Sequence, residues 1–102
     1  MKKYAVIFKT QRELPIPKEY LEINERMVEL VESYGGFLDV DSVMNTDGKG
    51  ISISYWNSLG AVKKWKANAE HLLAQKRGKS EWYRYFKVEI CELIEEYEGG
   101  GQ

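Results

Sequence analysis

The sequence is poor in the residues that build disulfides, metal sites and membrane spans. It contains one cysteine, one histidine and two prolines. The single Cys91 cannot form an internal disulfide, and one thiol with one imidazole supplies too few ligands for a zinc site. Apolar runs are short, so no membrane span is expected. The glycines form neither GxGxxG nor a phosphate loop. We expect a cytoplasmic protein with no metal and no other cofactor.

An excess of either charge is also missing. The 15 basic residues nearly balance the 16 acidic ones, and the signs alternate along the chain. No basic field is available to attract nucleic acid. The 102 residues have room for one domain, which we assign to residues 1–98, with a flexible tail at 99–102. Because so small a domain has a thin core, covering more surface with a partner would stabilise it.

What the sequence does contain is a regular succession of apolar stretches and turn signals. They first predict a strand at Lys3–Lys9 that is apolar on both faces and a helix at about Lys18–Tyr34. Strands at Phe37–Met44 and Ile51–Trp56 follow, then a helix from a cap at Asn57 or Ser58 to about Lys76. The last predicted element is a strand at Trp82–Tyr97 with a bulge or bend near Glu92. This β-α-β-β-α-β order predicts an α+β, ferredoxin-like fold, with a four-stranded antiparallel sheet and two helices on one face.

The face of the sheet without helices is expected to be too apolar for water. Tyr85, Cys91 and Leu93 fall on this face of the last strand, next to apolar and aromatic residues of the third strand. We therefore expect a homodimer in which two sheets pack face to face and exchange their long C-terminal strands. In that arrangement Cys91 is buried and inert.

The stretch ISYWNSLGAVKKWKANAEHLLAQKRGKSEWYRYFKVEI, Ile53–Ile90, resembles the antibiotic biosynthesis monooxygenase (ABM) domain family of the dimeric α+β barrel superfamily. It is most similar to the small bacterial YqjZ-type members. The resemblance implies a pocket between the helices and the concave sheet face, and either oxidation of aromatic substrates without a prosthetic group or opening of haem. In the haem-degrading branch an Asn lies on the first strand, and a Trp and a haem-ligating His lie on the second helix. Trp65 matches the Trp, whereas the first strand has no Asn and the His position falls near Gln75, so haem is disfavoured.

The second helix carries the first three candidate site residues. Trp65 shares a helix face with Val62 and the apolar residues near the helix end, so it either fills the core or binds a ligand. Asn68 lies at the edge of that face, where its amide could hold a substrate oxygen or a backbone carbonyl. His71, a candidate catalytic base, turns about 120° away from Trp65, which favours a solvent-facing position.

Three further residues are candidates for substrate binding. Asn24 falls within the predicted buried stripe of the first helix, where its amide either bridges to the sheet or lines a cavity. Trp56 and Tyr83, together with Trp82, lie at strand ends, where aromatic rings build a dimer interface or a flat ligand wall. The interface interpretation is favoured.

Two functions remain open at this stage. The first is a cofactor-independent monooxygenase that acts on a small aromatic or polyketide-like substrate, with His71 and Asn68 as catalytic residues and Trp65, Asn24, Trp56 and Tyr83 around the substrate. The second is a dimeric module, stress-related or otherwise, that binds a small aromatic ligand without catalysis.

Overall fold

The computed structural model describes residues 2–12, 14–15, 18, 25–26, 29–75 and 83–100, except for the side chains of residues 69–75 and 83. The strands are β1 at Lys3–Arg12, β2 at Phe37–Met44, β3 at Lys49–Trp56 and β4 at Tyr83–Leu93. Residues 18, 25–26 and 29–32 are helical and are referred to as α1. The second helix, α2, runs over Leu59–Gln75. The predicted element order and ferredoxin-like fold class are confirmed.

The four strands form one antiparallel sheet in the order β2-β3-β1-β4. Strand β1 is central, as its two apolar faces predicted. The sheet is open in the single chain, so the closed barrel implied by the resemblance requires a second copy.

Side chains alternate between the two faces of the sheet. Tyr4, Val6 and Trp56 point toward the helices, because they belong to one hydrophobic cluster with Val31 of α1 and Val62 of α2. By register, the opposite open face receives the intervening residues of each strand, including Ala5, Ile7, Ile53, Tyr55, Tyr85, Cys91 and Leu93.

Local chemistry explains where α2 begins and how it meets β2. The Ser58 hydroxyl accepts a hydrogen bond from the backbone N–H of Ala61 at 3.2 Å, which is the cap expected for a helix N-terminus. Gly36 precedes β2 with φ of 95°, and a Cβ there would come within 2.9 Å of both Ala61 Cβ and Asn57 Oδ1. Only glycine combines this left-handed conformation with so close an approach.

The hairpin between β2 and β3 is confirmed. Gly48 takes φ of 94°, and its N–H donates to the Asn45 carbonyl at 3.2 Å. The Lys49 N–H donates to the side chains of both Asn45 and Asp47 at 3.1 and 3.0 Å. The turn residues therefore close the hairpin through their own side chains.

One sequence prediction about β4 is wrong. The bulge or bend expected near Glu92 is absent, since pairing with β1 runs regularly from Leu93 to Tyr85 and shifts only between Gln11 and Arg12. Glu92 lies on an edge strand, 3.9 Å from the Lys2 ammonium, so a charged residue is accommodated there without a bulge. Cys91 is exposed in the single chain, because it lies on the open face, and its burial stays a prediction for the homodimer.

Candidate functional site

Aromatic rings from the sheet, from α2 and from the segment that follows α1 meet on the helix-facing side. Trp56 is fully buried and stacks on Trp65 of α2, with ring centroids 6.5 Å apart and an interplanar angle of 28°. Phe37 contacts Trp56 edge-on at 5.5 Å, and Tyr34 contacts Trp65 edge-on at 5.5 Å. These offset and edge-to-face contacts are the arrangements aromatic rings prefer. They fix the plane of the Trp65 ring.

A polar pair borders this aromatic cluster. The Asn68 side-chain amide donates a hydrogen bond to the Tyr34 hydroxyl at 2.5 Å, and both residues are half-buried. The Tyr34 hydroxyl keeps its own proton for donation, and the Asn68 carbonyl oxygen can still accept a hydrogen bond. Half-buried Trp65 lies beside them, one helical turn before Asn68. We name Tyr34, Trp65 and Asn68 the helix-side site, which offers a ring surface with one donor and one acceptor.

Trp56 does not lie where the favoured dimer-interface interpretation would place it. Trp56 packs under the helices rather than on the open face, so the dimer-interface interpretation of this residue is wrong. Its indole N–H donates to the Ser54 hydroxyl at 2.9 Å, which satisfies its only polar group. Trp56 supports a ligand at the helix-side site through the orientation of Trp65 and exposes no surface of its own.

The remaining sequence candidates are only partly described. His71 follows Asn68 by three residues in α2, and Tyr83 begins β4, but both side chains lie outside the described residues. Asn24 and Trp82 lie outside them altogether. Tyr34 was missed as a site residue. It is 34 positions from Asn68, and no local pattern signals a contact that depends on how α1 and α2 pack.

The open face of the sheet carries a cluster of three charged side chains. The Lys9 ammonium lies 3.1 Å from Glu89, and Lys87 lies 3.7 Å from the same carboxylate. The hydrogen bond from Lys9, followed by the charge of Lys87, lowers the pKa of Glu89 below its usual range. Farther along the strands, Glu96 raises the pKa of Lys3 through a 2.8 Å hydrogen bond.

A depression of about 340 Å³ lies beside these charges, lined by Lys9, Thr10, Gln11, Lys49, Gly50, Ile51 and Tyr85. Five of these residues alternate onto the open face, so the depression is open to that face. It is therefore separate from the helix-side site. No helix within the described part of the chain is long and apolar enough to cross a membrane.

Solved structures share this fold across nearly the whole chain. SnoaB, a cofactor-independent oxygenase from Streptomyces nogalater, superimposes with a TM-score of 0.68 at 12% identity, covering 96% of this chain and 97% of SnoaB. A candidate antibiotic biosynthesis monooxygenase from Nitrosomonas europaea gives a TM-score of 0.72 at 14% identity, covering 90% of each chain. At such identities the likeness shows the fold alone. The fold is that of the ABM domain proteins, as the resemblance predicted.

Comparison with known sequences identifies the family of this chain. No protein-family model matches the chain. The uncharacterised protein YqjZ of Bacillus subtilis is 40% identical over 90 residues, which cover 88% of this chain and 78% of YqjZ. The chain belongs to the YqjZ family, which confirms the YqjZ-type resemblance of Ile53–Ile90.

Proposed function

We propose that this protein is a homodimeric, cofactor-independent monooxygenase that binds a small hydroxyaromatic or polyketide-like substrate at the helix-side site. The observation that supports this most is the Asn68–Tyr34 hydrogen bond beside the Trp65 ring. An aromatic substrate would contact Trp65, and its phenolic oxygen would accept a hydrogen bond from the Tyr34 hydroxyl. The likeness in fold to a cofactor-independent oxygenase favours this chemistry.

The reaction we propose is balanced without any other reductant. A base removes a proton from an activated CH₂ group, and the resulting carbanion transfers electrons to O₂. The carbon hydroperoxide that forms loses water, so R₂CH₂ and O₂ become R₂C=O and H₂O. The Tyr34 hydroxyl would donate to the substrate oxygen on which negative charge develops, with Asn68 holding that hydroxyl in place, and such a preorganised donor lowers the barrier. His71 is our candidate base, because it follows Asn68 by three residues in α2.

A second copy of the chain would cover the open face. Tyr85 is 56% exposed there in the single chain, and Ile7, Ile53 and Tyr55 are only half-buried. Beyond β4 the chain continues without regular structure, and Ile94 and Tyr97 are 85% and 90% exposed. Apolar side chains this exposed on a strand extension favour an arm that packs on the partner. We propose a homodimer that uses the open face and this arm.

Oxygen consumption tests the proposed activity. The purified protein is incubated with a panel of anthrones, which carry such a CH₂ group, and the oxygen electrode trace is compared with product identification by mass spectrometry. We expect uptake with a ketone or quinone product, at least tenfold slower for Asn68→Ala and for His71→Ala. Lys64→Ala, at an exposed position of α2, is the matched control and should retain the wild-type rate. Wild-type activity in Asn68→Ala would contradict the assignment of the site.

One observation favours non-catalytic binding as a second function. Tyr34, Asn68 and Trp56 each already have a hydrogen-bond partner within the chain, through the Asn68–Tyr34 and Trp56–Ser54 bonds. Such a site can hold an aromatic ligand without a base. In that case the same compounds would raise the melting temperature of the protein, while no oxygen would be consumed.

A further inference from the structure

The depression on the open face lies in a positively charged part of the sheet. Lys9 and Lys49 line it, and Lys87 pairs with Lys9 in the β1–β4 register. Lys9 and Lys87 share the single carboxylate of Glu89. Within the described part of the chain no ion pair involves the Lys49 ammonium, and Asp47 accepts a hydrogen bond from the Lys49 backbone N–H. The depression therefore carries more ammonium charge than the residues around it neutralise.

The lining of the depression is also partly apolar. The Tyr85 side chain is 56% exposed there, and Ile51 is half-buried. A volume of about 340 Å³ has room for one aromatic side chain. An aromatic ring that carries carboxylates on either side would match both the apolar lining and the charge of this depression.

The segment that follows β4 has this composition. Residues 94–98, which we call the arm, read Ile-Glu-Glu-Tyr-Glu, and Tyr97 is 90% exposed. Glu96 accepts a 2.8 Å hydrogen bond from the Lys3 ammonium, and Lys3 lies on the open face because it precedes helix-facing Tyr4. The arm is therefore held on the open-face side of the sheet. Its other two carboxylates, of Glu95 and Glu98, form no ion pair within the described residues.

The arm cannot reach the depression of its own chain. Leu93 pairs with Lys3, and Lys9 lies about 20 Å from Lys3 along β1. Tyr97 is four residues past Leu93, so an extended chain carries it at most about 14 Å from there. If an arm fills the depression, the arm must come from a second copy of the chain.

A two-fold axis that crosses the strands would bring the two features together. Such an axis lies between two sheets packed face to face and reverses the strand direction from one sheet to the other. The end of one sheet that carries the arm then lies over the end of the other sheet that carries the depression. Because the axis is two-fold, both contacts form at once, as in other self-complementary interfaces.

We propose that each copy in the homodimer inserts Tyr97 into the depression of the other copy. This placement rests on the homodimer proposed above and does not depend on oxygenase activity. Tyr97 of the partner subunit packs on Tyr85 and Ile51, and the carboxylates that flank it lie near Lys49. Complementary charges fix the register of an interface and disfavour other pairings. The open face is thus both the apolar surface and the charged surface of the dimer.

Disulfide trapping tests the placement in the full chain, with Cys91→Ser as the background. Gln11→Cys at the depression is combined with Glu98→Cys in the arm, which keeps the ring of Tyr97. A disulfide needs Cα atoms within about 7 Å, whereas Glu98 stays about 9 Å from Gln11 of its own chain even if the arm folds straight back. Oxidation should therefore give a disulfide-linked dimer on a non-reducing gel. Leu38→Cys with Glu98→Cys, at an exposed position of β2 outside the depression, is the matched control and should stay monomeric on the gel.

The outcomes separate this placement from the homodimer itself. A chain that sediments as a dimer but forms no Gln11→Cys/Glu98→Cys cross-link would overturn the arm placement and leave the homodimer intact. Cross-linking through Leu38→Cys would likewise overturn it, because the arm would then lie on β2. A single subunit in sedimentation would remove both proposals.

Charge reversal tests the electrostatic part of the contact. Lys49→Glu should weaken dimerisation at least tenfold, since each dimer contains the contact twice, and adding Glu95→Lys should recover most of the affinity. Lys63→Glu, at an exposed position of α2, is the matched control and should dimerise like the unmodified chain. Melting curves establish that each variant is folded. Unchanged dimer affinity in Lys49→Glu, or equal weakening in Lys63→Glu, would contradict the proposal.

Discussion

The two faces of the sheet differ in how completely the single chain buries their apolar side chains. On the helix-facing side, Trp56 and Val62 are fully buried, and the indole N–H of Trp56 is satisfied within the chain. On the open face, Tyr85 and Cys91 are exposed beside the Lys9–Glu89 ion pair. The chain therefore completes one face alone and leaves the other mixed in character. We therefore expect stability to come mainly from the helix-facing side, and the proposed homodimer to use the open face.

Removing a ring from the helix-facing side should have the largest effect on stability. Trp56→Ala deletes a fully buried side chain and leaves a cavity against Trp65 and Phe37. We expect the free energy of unfolding to fall by about 3–5 kcal/mol, as is usual for a large aromatic ring. Urea denaturation monitored by circular dichroism measures the loss. Tyr85→Ala, on the open face, is the comparison and should cost much less in a monomeric background. A similar loss in both variants would contradict the difference between the faces.

A charge at the centre of the open face should abolish association and leave the subunit folded. Ile53 pairs with Asp41 of β2, so Ile53→Lys places an ammonium beside a carboxylate of its own chain. The same ammonium would be desolvated at an apolar interface, which is costly. Sedimentation should give a folded single subunit. Leu59→Lys, at the exposed start of α2 on the other side of the sheet, should leave association unchanged.

Sequence reasoning located the elements better than the contacts between them. Strand Phe37–Met44 and the Ser58 cap follow from local signals, namely alternation, glycine turns and a hydroxyl before an apolar helix. The Asn68–Tyr34 bond has no such signal, because it depends on the packing of two helices. The end of the first strand was also misplaced, because Lys9 looked like the end of a strand that continues to Arg12. Local patterns depend on neighbours along the chain, so they do not predict contacts between residues that are far apart in sequence.

The polar pair at the helix-side site should contribute a smaller, separable amount. Tyr34→Phe removes the hydroxyl that accepts the Asn68 amide and keeps the ring on Trp65. We expect the free energy of unfolding to fall by about 1 kcal/mol, the typical net value of one hydrogen bond. A double-mutant cycle with Asn68→Ala isolates the coupling between the two side chains. Additive losses would mean that the pair does not interact in solution.

The ion pair on the open face should have the smallest effect, visible through pH. The pKa of Glu89 is lowered in the folded chain by Lys9 and then Lys87, so its contribution is present above the unfolded pKa near 4.5 and is lost as pH falls through the folded value. Glu89→Gln should therefore flatten the acid limb of the stability profile slightly, since exposed pairs contribute little. Melting temperatures measured from neutral to acidic pH test this. An unchanged acid limb would mean that the pair is not formed in solution.

Sedimentation equilibrium of the unmodified chain at micromolar concentration tests most directly whether a second copy covers the open face. The account predicts a stable particle of twice the 11.9 kDa chain mass. A stable particle of the single-chain mass, with the open face in solvent, would contradict it.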